Sequence, residues 1–278
     1  MDVTTTKATT QNAGEPRLAP PKSFWTRNEH ALLGAFAMTA FLLFWELSVV
    51  YEWVNPLFTS APSRIATTGY DMFADGSIWP HLRVSGYEFI VGFGMAIVIG
   101  VPLGILMGWY GRLNAILDPF VSALYATPRI ALLPLIMIWF GIGLESKIAI
   151  VFLGAVFPIL VNTITGMRTI SADFVKVARS FGASDRQLFM TVALPSSVPL
   201  LLSGLRLGLG HALIGIVVGE MYGASAGIGH MISVAGARFQ TDAVMVGIII
   251  IAGTGVALTE LLRMIERRFE RWRPQVGG

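Results

Sequence analysis

The sequence contains no cysteine. That excludes a disulfide framework and any Cys-ligated metal or redox centre. Four histidines, His30, His81, His211 and His230, are scattered along the chain with no pair at metal-ligand spacing, so no metal site is expected. No G-x-x-x-x-G-K-[ST] occurs, which denies the chain a P-loop with which to hydrolyse ATP, and no catalytic residues are expected. Charge is also scarce. Only 13% of residues are Asp, Glu, Lys or Arg, against about a quarter in an average soluble domain. From Phe89 to Gly111 and from Ile148 to Met167 there is none. Each run covers the ~20 residues a helix needs to cross a ~30 Å hydrocarbon core.

What fills the space is apolar: 54% of the residues are hydrophobic and the mean hydropathy is +0.66. The fold class is therefore an all-α polytopic membrane protein set among membrane lipid. Residues 1–28, rich in Thr, Ala, Pro and charge, are expected to form a disordered tail. The apolar stretch after them is too long for a signal-peptide core and lacks a small-residue cleavage site. About six transmembrane helices follow, over 31–51, 84–110, 116–140, 146–166, 198–222 and 243–265, within a permease domain spanning 29–274.

The sequence pI near 9.4 raises the question of nucleic acid, but topology accounts for it better. With a cytoplasmic N-terminus, fourteen Lys and Arg fall in inside segments and four, Arg64, Arg83, Lys147 and Arg238, in outside segments. Such a bias places both termini and the long 167–197 loop in the cytoplasm, and no nucleic-acid partner is expected.

Two spans carry glycines at four-residue spacing, Gly100, Gly104, Gly108 and Gly215, Gly219, Gly223. Such rows let helices approach closely in lipid, within a subunit or across a dimer. Pro102, Pro128, Pro134 and Pro158 interrupt spans and free backbone groups that must be satisfied inside a bundle or a wet cavity. A bent, pathway-forming bundle is expected.

The loop VKVARSFGASDRQLFMTVALP, 175–195, has its own helical grammar. Ser171 suits an N-cap, and Asp173 sits in the first turn, where the helix dipole favours an acid. Phe174, Val177, Ala178 and Phe181 then recur at i, i+3, i+4 and i+7, one apolar face. Gly182 is the expected stop. Ser184 and Gln187 have capping-box spacing for a second helix running through Leu188, Phe189 and Val192 to Pro195. Two roles fit: an interfacial helix lying on the bilayer, or helix-in-groove docking onto a partner. The mixed signs of Lys176, Arg179, Asp185 and Arg186 suit a protein groove better than an anionic lipid surface.

At these residues the chain resembles the permeases of binding-protein-dependent ABC importers, whose cytoplasmic signature is E-A-A, three residues, Gly, nine residues, then I-x-L-P. Ala178 matches the second Ala, Gly182 the Gly, and Val192 to Pro195 the ending, with Val for Ile. Lys176 and Val177 depart, standing where Glu and the first Ala belong. TPRIALLPLIMIWFGIGLESKIAIVF (127–152), Trp45-Glu46, SGLRLGLG (203–210), VVGEMYGASAGIGHMI (217–232) and ERRFERWRP (266–274) are similar to the nitrate, sulfonate, taurine and bicarbonate subgroup.

The resemblance implies a type I ABC importer permease fold, working as a homodimer in a bacterial inner membrane. A periplasmic or lipid-anchored binding protein would deliver a small anion to the outer face. A cytoplasmic ATPase, which would carry the ATP and magnesium that this chain does not bind, would dock on the loop. The contact set is Phe174, Lys176, Val177, Ala178, Arg179, Ser180, Phe181, Gly182, Ala183, Ser184, Asp185, Leu188 and Pro195. Closure of the ATPase pair on ATP would rock the bundles between inward-open and outward-open states.

Ionisable groups in or near spans are functional candidates. Arg129, beside Pro128, suits an anion pathway. Arg206, near the inner end of its span, either snorkels toward the cytoplasm or joins that pathway. Glu220 precedes the glycine-rich GASAGIG and is a candidate to position an outer gate, whereas Glu46 sits near the outer end of the first span. The main rival is a self-powered secondary transporter or channel subunit, which needs titratable groups near the midplane and commonly repeated halves. The sequence shows no convincing repeat and, on this reading, one deep charge, Arg129. A purely structural subunit explains the glycines but not the loop.

Overall fold

The charge-free run 148–167 becomes the axis of the molecule. A computed structural model describes residues 24–269. Its elements are α1 (Phe24–Val50), α2 (Pro56–Thr59), α3 (Pro62–Ala74), α4 (Ile78–Trp109), α5 (Gly111–Ala126), α6 (Leu133–Phe140), α7 (Leu144–Arg168), α8 (Ala172–Ser180), α9 (Asp185–Leu188), α10 (Leu194–Met221), α11 (Ile228–Ala237) and α12 (Thr241–Phe269). Five helices, α1, α4, α7, α10 (with the turns before it) and α12, are long and apolar enough to cross a membrane. The pair formed by α5 and α6, bent by 89°, makes a sixth if the two count as one span. The six expected spans thus coincide with six helical units. Most of the expected tail lies outside the described residues, and α1 begins at Phe24, within the stretch read as tail.

Along α7, Val151, Ala155 and Ile159 are fully buried, because α4 packs on one side and α10 on the other. Glycine decides how closely. A Cβ on Gly104 would lie 2.6 Å from that of Thr163, and one on Gly108 2.4 Å from that of Met167. The first glycine row therefore seats α4 on α7 within the subunit. In the second row a Cβ on Gly215 or Gly219 would lie 3.3 or 3.4 Å from Ile150, whereas one on Gly223 would meet the Ile142 side chain at 2.7 Å. Within α10 the close approach to α7 falls at Gly204 and Gly208, where a Cβ would lie 2.7 Å from Asn162 and 2.9 Å from Ile159.

Of the four prolines expected to interrupt spans, Pro128 breaks the chain between α5 and α6, and Pro134 opens α6. Pro102 and Pro158 lie inside continuous helices. Pro158 has no N–H for the carbonyl of Gly154, and that carbonyl accepts instead from Arg129 Nη1 at 3.4 Å.

One end of the bundle carries the chain from α7 to α10, together with the start of α1 and the end of α12. The opposite end is tied by long-range polar contacts. Glu46 accepts from the Ser63 N–H at 3.0 Å and its hydroxyl at 2.6 Å, capping α3 from another helix. Trp45 Nε1 donates to the Ser60 carbonyl at 3.1 Å, and Asp242 accepts from Ser60 Oγ at 2.5 Å and Arg64 Nη2 at 2.8 Å. The Trp45-Glu46 pair therefore has a local purpose: it fixes the start of α3.

Candidate functional site

The chain between α7 and α10 folds as its capping residues dictate. Ser171 Oγ accepts from the Asp173 N–H at 3.3 Å to open α8. At the other end the Gly182 N–H donates to Arg179 O at 2.9 Å and the Ala183 N–H to Ala178 O at 3.0 Å. These two bonds form a Schellman motif, which needs a left-handed residue between them, and Gly182 supplies it with φ +77°. Ser184 and Gln187 complete the capping box, with Gln187 Oε1 accepting from the Ser184 N–H at 2.9 Å and Ser184 Oγ from the Gln187 N–H at 3.3 Å. An Arg179–Asp185 ion pair ties α8 to α9 across the glycine.

The second helix is not the plain one that the spacing suggests. After α9 the chain makes a π turn over Phe189–Ala193 and then continues as α10. Pro195 cannot donate to the Thr191 carbonyl, and just before it the register widens to i→i−5, with the Leu194 N–H on Phe189 O. Trp109, at the end of α4, packs edge-on against Phe189 at 5.0 Å.

The apolar face of α8 finds no cover among the described residues: Phe174 is 50% exposed, Val177 55% and Phe181 87%. Phe174, Val177 and Ala178 line a hollow of about 300 Å³, closed on the other side by Thr191, Val192 and Pro195. The structure thus brings the two halves of the signature, 174–178 and 192–195, into one groove. Leu188 is the correction. It is buried, at 6% exposure, because it faces inward from α9, so it supports the loop and is not available to a partner. Lys176, in place of the acid, is fully on the surface, 3.9 Å from Asp173, an exposed pair of little energetic consequence.

Arg129 sits in the 3₁₀ turn that follows Pro128. Its guanidinium lies 5.3 Å from the Tyr125 ring centre and 5.9 Å from that of Phe157. Beyond the bond to Gly154 O, its Nε is buried without a partner. The guanidinium is thus held beside two aromatic rings with donors left over. Arg206 also has a buried Nε without a partner among the described residues, but its guanidinium is paired with Glu266 of α12. Glu220 accepts from Ser85 Oγ at 2.5 Å and from the Gly229 N–H at 2.6 Å.

Glu88, Lys147 and Glu220 are each only 1% exposed, and Lys147, assigned to an outside segment from its sequence neighbours, is enclosed. The histidines too are closer than their spacing suggests, with the His81 and His230 rings stacked at 6.3 Å. No group of three or more His, Asp or Glu able to hold a metal occurs among the described residues.

Residues 100–271 match the family described as the binding-protein-dependent transport system inner membrane component. A Bacillus subtilis (strain 168) protein named for aliphatic sulfonates transport is 35% identical over 267 residues, 96% of this chain and 95% of that one. The taurine transport system permease protein of Escherichia coli (strain K12) is 32% identical over 257 residues, 91% and 94% of the two chains. The formylaminopyrimidine transport permease protein of Halalkalibacterium halodurans is 30% identical over 247 residues, 89% and 98%. In a solved structure of the inward-facing MetNI methionine ABC transporter, one chain superposes with a TM-score of 0.56 at 21% identity, covering 70% of this chain and 95% of that one.

Proposed function

We propose a function that proceeds from family membership: the chain belongs to the binding-protein-dependent transport system inner membrane components, the non-catalytic permease subunits of ABC importers. Its fold is that of a type I importer permease. On that basis the chain forms the translocation pathway, and a separate ATPase drives it by docking on α8. The observation that carries this reading is the uncovered apolar face of Phe174, Val177 and Phe181, mounted on a helix whose exit angle Gly182 sets. A chain without a P-loop needs such a contact, and ATP and magnesium belong to the partner.

Two bundles related by a two-fold axis would alternate between inward-open and outward-open as the ATPase pair closes on ATP. The substrate class we infer is a small organosulfonate anion. Relatives named for sulfonates and taurine align over nearly the whole chain, and Arg129 offers a half-buried guanidinium at the broken helix. Arg206, committed to Glu266, is left out of the pathway. The membrane is the bacterial inner membrane, with both termini and α8 cytoplasmic, in line with the fourteen-to-four bias of positive charge.

The test is uptake of radiolabelled taurine and of an alkanesulfonate into proteoliposomes holding this chain, its ATPase and its binding protein. ATP-dependent, binding-protein-dependent uptake of either supports the reading. Uptake that proceeds equally without ATP, driven by an ion gradient, overturns it.

A further inference from the structure

Three ionisable side chains, Glu88 of α4, Lys147 of α7 and Glu220 of α10, are buried together at the end of the bundle opposite α8. Uncompensated, such charges are strongly unfavourable away from water. The sequence retains them on three different helices, and their hydrogen bonds converge on one piece of backbone.

That piece is the connection between α10 and α11 with the first residues of α11, 222–229. Lys147 Nζ donates to Gly223 O at 2.5 Å, just past the end of α10, and to Ile142 O at 2.9 Å, just before α7. Glu220 takes the Gly229 N–H at 2.6 Å and Ser85 Oγ at 2.5 Å, while Ser85 Oγ accepts the Ile228 N–H at 2.8 Å. His81 Nδ1 accepts the Gly227 N–H at 3.1 Å. Three successive amides at the start of α11 are thus satisfied by side chains of α4 and α10. Gly227 has φ +125°, and a Cβ there would fall 2.3 Å from the Glu220 carboxyl carbon. The backbone runs directly over the carboxylate. Glu88 Oε2 finds no hydrogen-bond partner among the described residues, and Glu88 is buried beside the Glu220 carboxyl.

The frame around this cluster matters as much as the cluster. The chain leaves α7 at Arg168 to form α8 and enters α10 through the π turn, so α7 and α10 flank the proposed docking helix at one end. Lys147 stands one turn inside the opposite end of α7, and Glu220 at the opposite end of α10. A helix of 25 residues such as α7 is about 37 Å long.

We propose that Lys147 and Glu220 are positioning residues of the outer gate. Between them they clamp 222–229 to α7 and, through Ser85, to α4, closing the α7–α10 frame at the end remote from α8, so that displacement of α8 reaches the outer mouth as movement of one body. The proposal rests on the importer reading above.

The absence of cysteine makes a direct test available. A single Ser225→Cys change, at an exposed position of the connection, takes one spin label per chain. In nanodiscs with the ATPase, the clamp keeps that label immobile in nucleotide-free and ATP-trapped states alike. In a Lys147→Met/Glu88→Gln background, which removes the lysine's hydrogen bonds to Ile142 and Gly223 and leaves Glu220 its own donors, the label becomes mobile. Substrate imported per ATP there falls about ten-fold, the order of one lost charge-assisted hydrogen bond, while ATP hydrolysis continues. A double variant with an immobile label and unchanged stoichiometry shows that Lys147 only neutralises charge, and overturns the proposal. Should the double variant not assemble, a label in the otherwise native chain that is freed on ATP trapping overturns it as well. Failure of the importer reading looks different: no ATP-dependent uptake by the native chain, whatever the label reports.

Discussion

Arg129 holds the carbonyl of Gly154, at 3.4 Å, in place of the amide that Pro158 cannot provide. One helix is broken at Pro128 and its neighbour lacks a donor at Pro158, and the same guanidinium answers both. The contact uses one N–H of the five that a guanidinium carries, and the ring faces of Tyr125 and Phe157 hold the group beside the gap.

Arg129→Gln is therefore expected to raise the half-saturating substrate concentration for ATP-driven uptake about ten-fold or more, the scale of one charge-assisted contact. Arg129→Lys retains charge but loses the planar fit between two rings, and should recover only part of it. Arg206→Gln is the contrast, because breaking its pair with Glu266 lowers thermal stability and leaves half-saturation alone. Uptake kinetics that respond to Arg206 and not to Arg129 reverse the assignment.

Gly182→Val places a β-branched residue at φ +77°, a conformation costing of order 1–3 kcal/mol for such a side chain. The Schellman motif then opens and α8 changes its angle to α9. The expected variant inserts, recovers its ATPase on purification and hydrolyses ATP, yet imports several-fold less substrate per ATP. Unchanged uptake in vesicles contradicts the hinge.

Gly104→Val and Gly108→Val force side chains where a Cβ already meets Thr163 and Met167 at 2.6 and 2.4 Å. Overpacking of this kind costs about 1–3 kcal/mol, so the midpoint of thermal unfolding in detergent should fall by several degrees. Gly253→Ala, where a Cβ meets nothing within 4 Å, serves as the control and should fall within about 0.5 kcal/mol of the native chain. Equal loss in all three variants removes the close helix contact as the cause.

Much of this was legible from local pattern. The spans follow from apolar runs, and the loop follows from Ser171, Gly182 and the Ser184–Gln187 box, each a signal contained within a few residues. The closeness of α10 was legible as well: Gly204, Gly208 and Ala212 recur at intervals of four, a row as regular as the one at 215–223. The buried charges were harder. His81, Ser85 and Glu88 share one face of α4 at i, i+4 and i+7, a polar stripe that the sequence does display. Its partners lie on helices more than fifty residues away, and no local period announces them. Lys147 reads as a loop cation because it follows Gly141, Gly143 and Glu145; only the end of α10 folding over it encloses it. Leu188 fits an apolar face by spacing, but the π turn that follows alters how α9 meets α10, and which residues face inward is settled by tertiary packing.

The contact between α8 and an ATPase is the central claim, and photocrosslinking reports it most directly. A photoreactive phenylalanine analogue at Phe181, 87% exposed on α8, is compared with one at Phe239, 62% exposed at the opposite end. In membranes containing the whole transporter, the analogue at Phe181 should join this chain to the ATPase subunit, and the analogue at Phe239 should not. A transporter that co-purifies with its ATPase yet crosslinks to it from neither position, or equally from both, contradicts the account.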